Sequence, residues 1–173
     1  GVRAFAFTAD ITSEADIDRL LNETRDRTGR IDIIVNNAGV MRFGKLHETP
    51  VAEWDLMMRT NAFGPWRLMV KAMPFMRESG GGSIINISSL AGIKAFPGTG
   101  VYCASKAALQ TISQVMALEG APDRIRVNCI LPALVEDTEL SLPIFGSVEA
   151  VHDFWNRMRA LHPLGRNGKP GDI

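Results

Sequence analysis

A tyrosine and a lysine four residues apart are the pair in this sequence best suited to acid–base chemistry. Tyr102 is the one tyrosine of the chain, and a helix would place it on the same face as Lys106, one turn away. A phenol with a pKa of about 10 exchanges protons poorly at neutral pH, and a neighbouring ammonium favours the phenolate. The pair therefore predicts a general acid/base. The alternative is a surface tyrosine beside a solvated lysine, because lysine occurs at this offset by chance about one time in twenty.

Three further polar stretches lie where chemistry is expected. Asn36-Asn37-Ala38-Gly39 follows the apolar run 31–35, and Ser88-Ser89 follows the run 83–87. In open α/β sheets, ligands bind at the carboxyl ends of strands, and small residues there allow a close approach. An ordinary turn is the alternative for both stretches. Asn61, just before Gly64-Pro65, is either a surface residue or an amide that holds a helix open at a site.

The elements that would position these residues alternate between strand and helix. Short apolar runs predict buried parallel strands at residues 2–7, 31–35, 83–87 and 125–131. Periodic apolar residues predict helices after Ser13, over 51–77 and over 101–119, and a loop with a short helix over 134–162. This alternation predicts an α/β fold with a doubly wound parallel sheet and helices on both faces.

Local signals mark the helix ends. Ser13 is a predicted N-cap with Asp16 as its capping-box partner, and Gly29 is suited to close that helix. Thr49 is predicted to cap the second helix, with Pro50 at its first position. Gly64-Pro65 is predicted to kink or divide that helix.

Composition limits the classes of partner. The 173 residues are 46% hydrophobic and carry equal numbers of acidic and basic side chains, which argues against an electrostatic nucleic-acid or membrane partner. No apolar run is long enough for a membrane helix, and no signal peptide is expected. Cys103 and Cys129 form no disulfide framework or metal spacing, so a reducing cytoplasmic setting and no metal site are predicted.

Together, Asn36–Gly39, Asn61, Ser89, Tyr102 and Lys106 resemble the short-chain dehydrogenase/reductase family. Tyr102 follows Ser89 by 13 residues and Asn61 by 41, and both spacings are typical of the family. Arg126-Val127-Asn128 and Pro163-Leu164-Gly165-Arg166 are also similar. The resemblance spans essentially the whole chain, and it implies a single, partial NAD(P)-binding domain of Rossmann type over residues 1–173.

The resemblance implies hydride transfer between NAD or NADP and an alcohol or ketone. Ser89 would bind the substrate oxygen, Tyr102 would exchange its proton, and Lys106 would lower the pKa of Tyr102 and bind the nicotinamide ribose. Asn61 would hold a water that links Lys106 to solvent. Two hydroxyl donors and a cation suit the negative charge that develops on the substrate oxygen.

The resemblance also implies the contacts of the cofactor. Asp10 and the backbone of Ile11 would meet the adenine. The ribose and central region would lie against Asn37, Ala38 and Gly39. The nicotinamide carboxamide would lie against Pro132 and Val135. Asp137 stands where the family often has a threonine, and Thr138 follows one step later; Ala133 replaces a usual glycine.

The largest departure from the family is an absence. The glycine-rich turn that cradles the pyrophosphate is missing, and so are the first two βα units and the last strand. The 2–7 strand would then have no neighbour and the 31–35 strand an open edge, which predicts an internal fragment that folds poorly and binds cofactor weakly. The residues that decide between NAD and NADP would lie in the missing units.

Two other readings remain beside the dehydrogenase. One is a non-redox relative that only binds the dinucleotide, and the other is a catalytically inactive fragment or packing module. Family members are commonly tetramers or dimers paired through helices around 51–77 and 101–119. The mostly apolar segments 93–100 and 138–162 would shape the substrate pocket, which suggests a hydrophobic or cyclic alcohol or ketone.

Overall fold

A parallel sheet forms the centre of the computed structural model, which describes residues 2–138, 140 and 145–173. Within these residues the strands β1 (Ile33–Asn36), β2 (Gly82–Ile87) and β3 (Ile125–Ile130) pair in the order β1-β2-β3. The predicted runs 31–35, 83–87 and 125–131 are thus confirmed with small shifts of their ends. Parts of the predicted 134–162 segment, at residues 139 and 141–144, lie outside the described residues, as does residue 1.

The described residues also form five α-helices: α1 (Glu14–Thr28), α2 (Val51–Met58), α3 (Gly64–Glu78), α4 (Gly100–Gly120) and α5 (Val148–Arg159). Because crossovers between parallel strands are right-handed, α3 and α4 lie on one face of the sheet. Ion pairs join α1 to α3, with Lys71 Nζ 2.7 Å from Asp18 Oδ1. The predicted α/β class is confirmed. None of these helices has the length and apolar character needed to cross a membrane.

The main core lies between the sheet and α1, α3 and α4. Its members are apolar side chains that face inward from each element: Ile17, Leu21, Ile31, Ile34, Leu68, Met69, Ala72, Met76, Ile84, Met116, Ile125 and Val127. The other side of β1 differs, because Ile33 and Val35 are 65% and 54% exposed. The sequence predicts cover on both faces of this strand, whereas in the described chain its buried side faces the helices. β1 also pairs with β2 alone among the described strands, so the expected open edge is present.

The ends of α1 follow the sequence signals in most respects. Ser13 Oγ accepts a hydrogen bond from the Asp16 N–H at 3.3 Å, and Gly29 ends the helix at a φ of 84°. Asp16 does not complete a capping box. Its carboxylate accepts instead from the Asp10 N–H at 2.8 Å, which ties the preceding turn to the helix.

The second helical stretch differs from its prediction at two points. Pro50 is its N-cap residue, and the Thr49 hydroxyl donates to Lys45 O rather than capping the helix. The stretch is divided, as predicted, but by a π-helical turn at Arg59–Phe63 that ends where Gly64 begins α3. Such turns inside α-helices are frequently found at functional sites.

The predicted strand at residues 2–7 is wrong. Residues 2–10 form no strand, because a strand needs a hydrogen-bonded neighbour and none of the described strands pairs with them. The segment runs along α1 instead. Arg19 Nη2 donates to Thr8 O at 2.6 Å, and the Arg27 guanidinium lies 5.2 and 5.3 Å from the ring centroids of Phe5 and Phe7.

A substitution at Gly64 tests how closely the start of α3 packs against Ile11. A Cβ at Gly64 would lie 2.8 Å from Ile11 O and 2.9 Å from Ile11 Cγ1. We expect Gly64→Ala to lower the free energy of unfolding by about 1–3 kcal/mol in urea titrations, because overpacking forces neighbours apart. Gly44→Ala is the matched control, since its Cβ would meet Thr49 Oγ1 at an ordinary 3.8 Å. Equal losses in the two variants would contradict the expectation.

Candidate active site

The carboxyl ends of the three strands meet at one edge of the sheet. Asn37-Ala38-Gly39 leaves β1, Ser88-Ser89 leaves β2, and Pro132 follows β3. The last two exits stay paired beyond the strands, since Ser88 N donates to Ile130 O at 2.8 Å and Leu90 N to Pro132 O at 2.9 Å. Helix α4 begins at this same edge, so its first turns carry Tyr102 and Lys106 to the strand ends.

Tyr102 is 7% exposed and packs against an apolar cluster with Met57, Ala91 and Val101. This burial raises the pKa of Tyr102 above its ordinary value, and the neighbouring Ser89 hydroxyl lowers it by a smaller amount. The direction is opposite to the sequence-based expectation that Lys106 lowers this pKa. The physical reason is that removal of the phenol from water outweighs its polar neighbours, so the neutral phenol is favoured here.

Lys106 is 4% exposed and lies beneath Tyr102, with Nζ 5.8 Å from the ring centroid. Its Nζ donates to Ile87 O at 2.8 Å, at the last residue of β2. Burial lowers the pKa of Lys106 from 10.5 to about 8. The amine is therefore charged at neutral pH but holds its proton less tightly than a surface lysine.

Asn61 lies in the π-helical turn and is fully buried. Its Oδ1 accepts from Val40 N and its Nδ2 donates to Val40 O, both at 2.8 Å, so one side chain binds both polar groups of one backbone residue. Nδ2 also donates to Ser105 Oγ at 3.0 Å. Of the two sequence-based interpretations, the surface residue is wrong. The π turn aims the amide at the exit of β1.

Gly39 joins these groups into one site. A Cβ on Gly39 would lie 3.4 Å from Lys106 Nζ and 3.5 Å from Asn61 Oδ1. The structure therefore brings Ser89, Tyr102, Lys106 and Asn61 together, through the contacts between Ser89 and Tyr102, Tyr102 and Lys106, and Lys106 and Gly39.

Two of the segments expected to contact a dinucleotide are the exit of β1 and the turn before α1. Asn37, Ala38 and Gly39 are exposed after β1. The Asp10 carboxylate accepts from the Thr12 N–H and hydroxyl, both at 2.8 Å, while Ile11 packs on Gly64 at the start of α3. A nicotinamide ribose fits this arrangement, because Gly39 leaves open the space beside the Lys106 ammonium that a side chain would fill.

The segment after β3 carries the remaining predicted contacts. Pro132 and Val135 are half-buried, and Val135 forms an isolated parallel bridge with Gly168. The Thr138 hydroxyl donates to Val135 O at 3.4 Å, whereas Asp137 is exposed and has a φ of 59°. Thr138 therefore faces back toward Val135, and Asp137 points to solvent.

Sequence reasoning missed the buried carboxylate that anchors this segment. Glu136 Oε1 accepts from Asn167 Nδ2 at 2.6 Å and from Arg159 Nε at 3.1 Å. Arg159, and to a lesser extent Asn167, hold the pKa of Glu136 below its ordinary value. The three residues are far apart in the sequence, so no local spacing could have revealed them. Over the described ranges, no cluster of three or more His, Cys, Asp or Glu is arranged to hold a metal.

Comparison with known proteins gives consistent results. The family model described as short chain dehydrogenase matches residues 1–146. The chain is 34% identical over 173 residues to 2-(S)-hydroxypropyl-CoM dehydrogenase 3 of Xanthobacter autotrophicus, covering 100% of this chain and 68% of that protein. It is also 34% identical, over 100% of its length and 75% of the relative, to a protein of the same organism named inactive 2-(S)-hydroxypropyl-CoM dehydrogenase 2.

A solved structure agrees with the fold. The crystal structure of a short-chain type dehydrogenase/reductase from Mycobacterium marinum superposes with a TM-score of 0.90 at 31% identity, covering 99% of this chain and 66% of that one. The chain thus spans about two thirds of the length of the solved relative.

Proposed function

This chain belongs to the short-chain dehydrogenase family, and on that premise we propose that it is an NAD(P)-dependent oxidoreductase acting on an alcohol/carbonyl pair. The observation that carries the proposal is the buried phenol of Tyr102, which lies between the Ser89 hydroxyl and the Lys106 ammonium. A proton donor, a second hydroxyl and a cation at one point suit a substrate oxygen that gains negative charge.

Tyr102 is the proposed proton donor in the direction of carbonyl reduction. Its raised pKa keeps the phenol protonated at neutral pH, so the proton is present when the substrate oxygen becomes an alkoxide. Ser89 donates a second hydrogen bond to the same oxygen. The backbone N–H of Ala91 donates to Ser89 Oγ at 3.1 Å, which leaves the Ser89 hydrogen free to point at a substrate.

Lys106 and Asn61 support this donor. Lys106 supplies a positive charge beneath the phenol and is fixed by its bond to Ile87 O. Asn61 fixes Val40 and, with it, the neighbouring Gly39 beside the Lys106 ammonium. We propose that Lys106 binds the ribose hydroxyls of the dinucleotide and that Asn61 keeps the path to Lys106 open to water.

The dinucleotide would be held along the strand ends. Asn37, Ala38 and Gly39 would contact its central part, Asp10 and Ile11 its adenine, and Pro132 and Val135 its carboxamide. The nicotinamide supplies the hydride when it is bound. The pyrophosphate-binding turn of the family is not among these residues, so the choice between NAD and NADP is part of the test below.

Apolar rings line the proposed substrate side. Phe145 stacks between Phe43 and Phe154, with centroid distances of 5.9 and 4.7 Å. Phe43 also lies against the loop before α4, because a Cβ on Gly98 would meet its ring at 3.7 Å and Gly44 N donates to Gly98 O. We propose that these three rings hold the apolar part of a ketone or secondary alcohol.

Truncation of Phe154 tests this assignment. We expect Phe154→Ala to raise KM for an apolar ketone about tenfold and to leave KM for the dinucleotide within about twofold, because it removes apolar contact area only on the substrate side. Phe5→Ala is the control, since Phe5 lies beside Arg27 at the C-terminal end of α1 and outside the group of three rings. An unchanged KM in Phe154→Ala, or an equal rise in both variants, would contradict the assignment.

The function itself is tested by nicotinamide absorbance. The full-length protein is mixed with NADH or NADPH and a panel of ketones, and with NAD or NADP and the matching alcohols. Turnover with one dinucleotide that disappears in Tyr102→Phe supports the proposal and identifies the cofactor. Binding of a dinucleotide with no turnover on any substrate would favour a non-redox relative.

An inactive protein is the second candidate. It is favoured by one observation, the similarity to a relative that is itself named inactive. Against it stands the intact set of Asn61, Ser89, Tyr102 and Lys106, which a protein without catalysis does not need. The same assay separates the two candidates.

Self-association is a further part of the proposal. Exposed apolar side chains lie on the long helices: Val51, Trp54 and Leu56 on α2, Trp66 on α3, and Val115 and Leu118 on α4. Surfaces of this kind are typical of subunit contacts, so we propose a dimer or tetramer paired through these helices. Sedimentation of the full-length protein measures its oligomeric state.

A further inference from the structure

Gln110 lies on the same face of α4 as Tyr102 and Lys106. It lies one turn after Lys106 and two turns after Tyr102, so the three side chains share one face of the helix. Its side-chain Nε2 donates to Ser88 Oγ and to Ser89 O, both at 3.0 Å. Helix α4, which carries the proposed proton donor Tyr102, therefore also binds the backbone of Ser89.

The amide of Gln110 is enclosed on several sides. Ser88 Oγ donates to Lys106 O at 3.0 Å while it accepts from Gln110, which closes a small network between β2 and α4. On the far side, a Cβ on Gly92 would overlap Nε2 and lie 2.9 Å from Cδ of Gln110. The turn from Ser89 to Gly92 thus wraps closely around this amide.

We propose that Gln110 is a positioning residue that sets the Ser89 hydroxyl against Tyr102. Its two N–H bonds fix Ser88 and Ser89 relative to α4, and the distance between Ser89 and Tyr102 depends on this link. An amide suits the role because both partners are acceptors, and a carboxylate or thioether at this point has no hydrogen to offer. The effect on turnover rests on the proposed function, whereas the effect on Tyr102 does not.

The first test titrates the phenol directly. The near-ultraviolet absorbance of the full-length protein is followed against pH, and the same titration of Tyr102→Phe is subtracted to isolate Tyr102. We expect Gln110→Met to raise the pKa of Tyr102, because Ser89 is released and its hydroxyl no longer lowers that pKa. Gln114→Met, one turn further along the same helix and exposed to solvent, is the matched control and leaves the titration unchanged.

Kinetics provide the second measurement. Gln110→Met is expected to lower kcat about tenfold and to leave KM for the dinucleotide within about twofold, because it misplaces a group that acts in the transition state. Ser89→Ala should lower kcat further, and the double variant should be no worse than Ser89→Ala alone. Additive losses in the double variant would contradict a role through Ser89.

Gly92→Ala tests the proposal without changing Gln110, in case Gln110→Met folds poorly. The added methyl displaces the amide, so it should raise the pKa of Tyr102 and lower kcat in the same way, with unchanged far-ultraviolet circular dichroism. If both variants fold and leave the Tyr102 titration unchanged, the proposal is overturned. If Tyr102→Phe keeps full turnover, the proposed function fails, while the titration still decides the role of Gln110.

Discussion

Replacing Tyr102 by phenylalanine is expected to lower kcat/KM for carbonyl reduction about 10²–10⁴-fold, the range typical of a lost general acid. The substitution removes only the hydroxyl, and the ring keeps its place among Met57, Ala91 and Val101. Stability and KM for the dinucleotide should therefore change little. Steady-state kinetics together with thermal melting measure the three quantities.

Thr111→Val is the control for this change. It also removes one hydroxyl from α4, but from a position exposed to solvent. We expect it to retain full activity. A Tyr102→Phe variant that keeps more than about a tenth of the original kcat/KM would contradict the assignment of the proton donor.

The raised pKa of Tyr102 predicts different pH dependences for carbonyl reduction and alcohol oxidation. Because the phenol stays protonated at neutral pH, reduction should proceed there, whereas oxidation of an alcohol needs the phenolate and should accelerate toward alkaline pH. A pH–rate profile is measured for reduction and for oxidation, and the rate of oxidation should rise with pH while the rate of reduction does not.

Replacing Lys106 by methionine is expected to abolish most activity and yet to stabilise the fold. The pKa of this buried amine falls from 10.5 to about 8, so charging it at neutral pH costs about 3 kcal/mol. The lost hydrogen bond to Ile87 O takes back about 1 kcal/mol. We expect Lys106→Met to raise the free energy of unfolding at neutral pH by about 1–2 kcal/mol.

The pH dependence of stability provides a sharper measurement. Between about pH 8 and 10.5 the unfolded chain keeps the Lys106 proton while the folded chain has released it. The unfolded state then binds more protons, so the contribution of Lys106 to stability rises with pH across this window and is flat below it. Tyr102 acts in the opposite direction above its ordinary pKa of 10.0, because the folded chain retains a proton that the unfolded chain loses.

The difference in stability between the original protein and Lys106→Met isolates the lysine. The advantage of Lys106→Met should shrink as pH rises above about 8 and reverse before about 10.5, because the original protein regains the roughly 3 kcal/mol cost of charging the buried amine. Lys94→Met removes the same charge from an exposed position and should show no such trend. A difference that stays constant over the window would mean that the folded protein does not bury Lys106 as described.

Local signals in the sequence predicted much of this structure. The Ser13 cap, the end of α1 at Gly29 and the three strands of the sheet follow from patterns within a few residues of one another. The ends of parallel strands must meet at one edge, so the convergence of Gly39, Ser89 and Tyr102 also followed from the order of elements.

The misses have a different origin. Residues 2–7 have the composition of a strand, but a strand exists only with a hydrogen-bonded neighbour, which composition cannot supply. The pKa of Tyr102 was expected to fall because Lys106 is one turn away, yet its direction depends on burial by residues from several elements. The hydrogen-bond partners of Glu136 and of Gln110 are more than 20 residues away in the sequence, so local spacing rules could not predict them.

The π turn at Arg59–Phe63 fixes the phase between the two halves of a long helix. Its Gly64 N–H reaches back five residues to Arg59 O, so the turn holds one residue more than an α-helix would. If the same residues ran as regular α-helix, the surplus residue would rotate α2 by about 100° relative to α3. Met57 would turn away from Tyr102 and Asn61 away from Val40. The wide turn absorbs this surplus residue and keeps both helices in contact with the site, so the width of this turn matters as much as the identity of the residues in it.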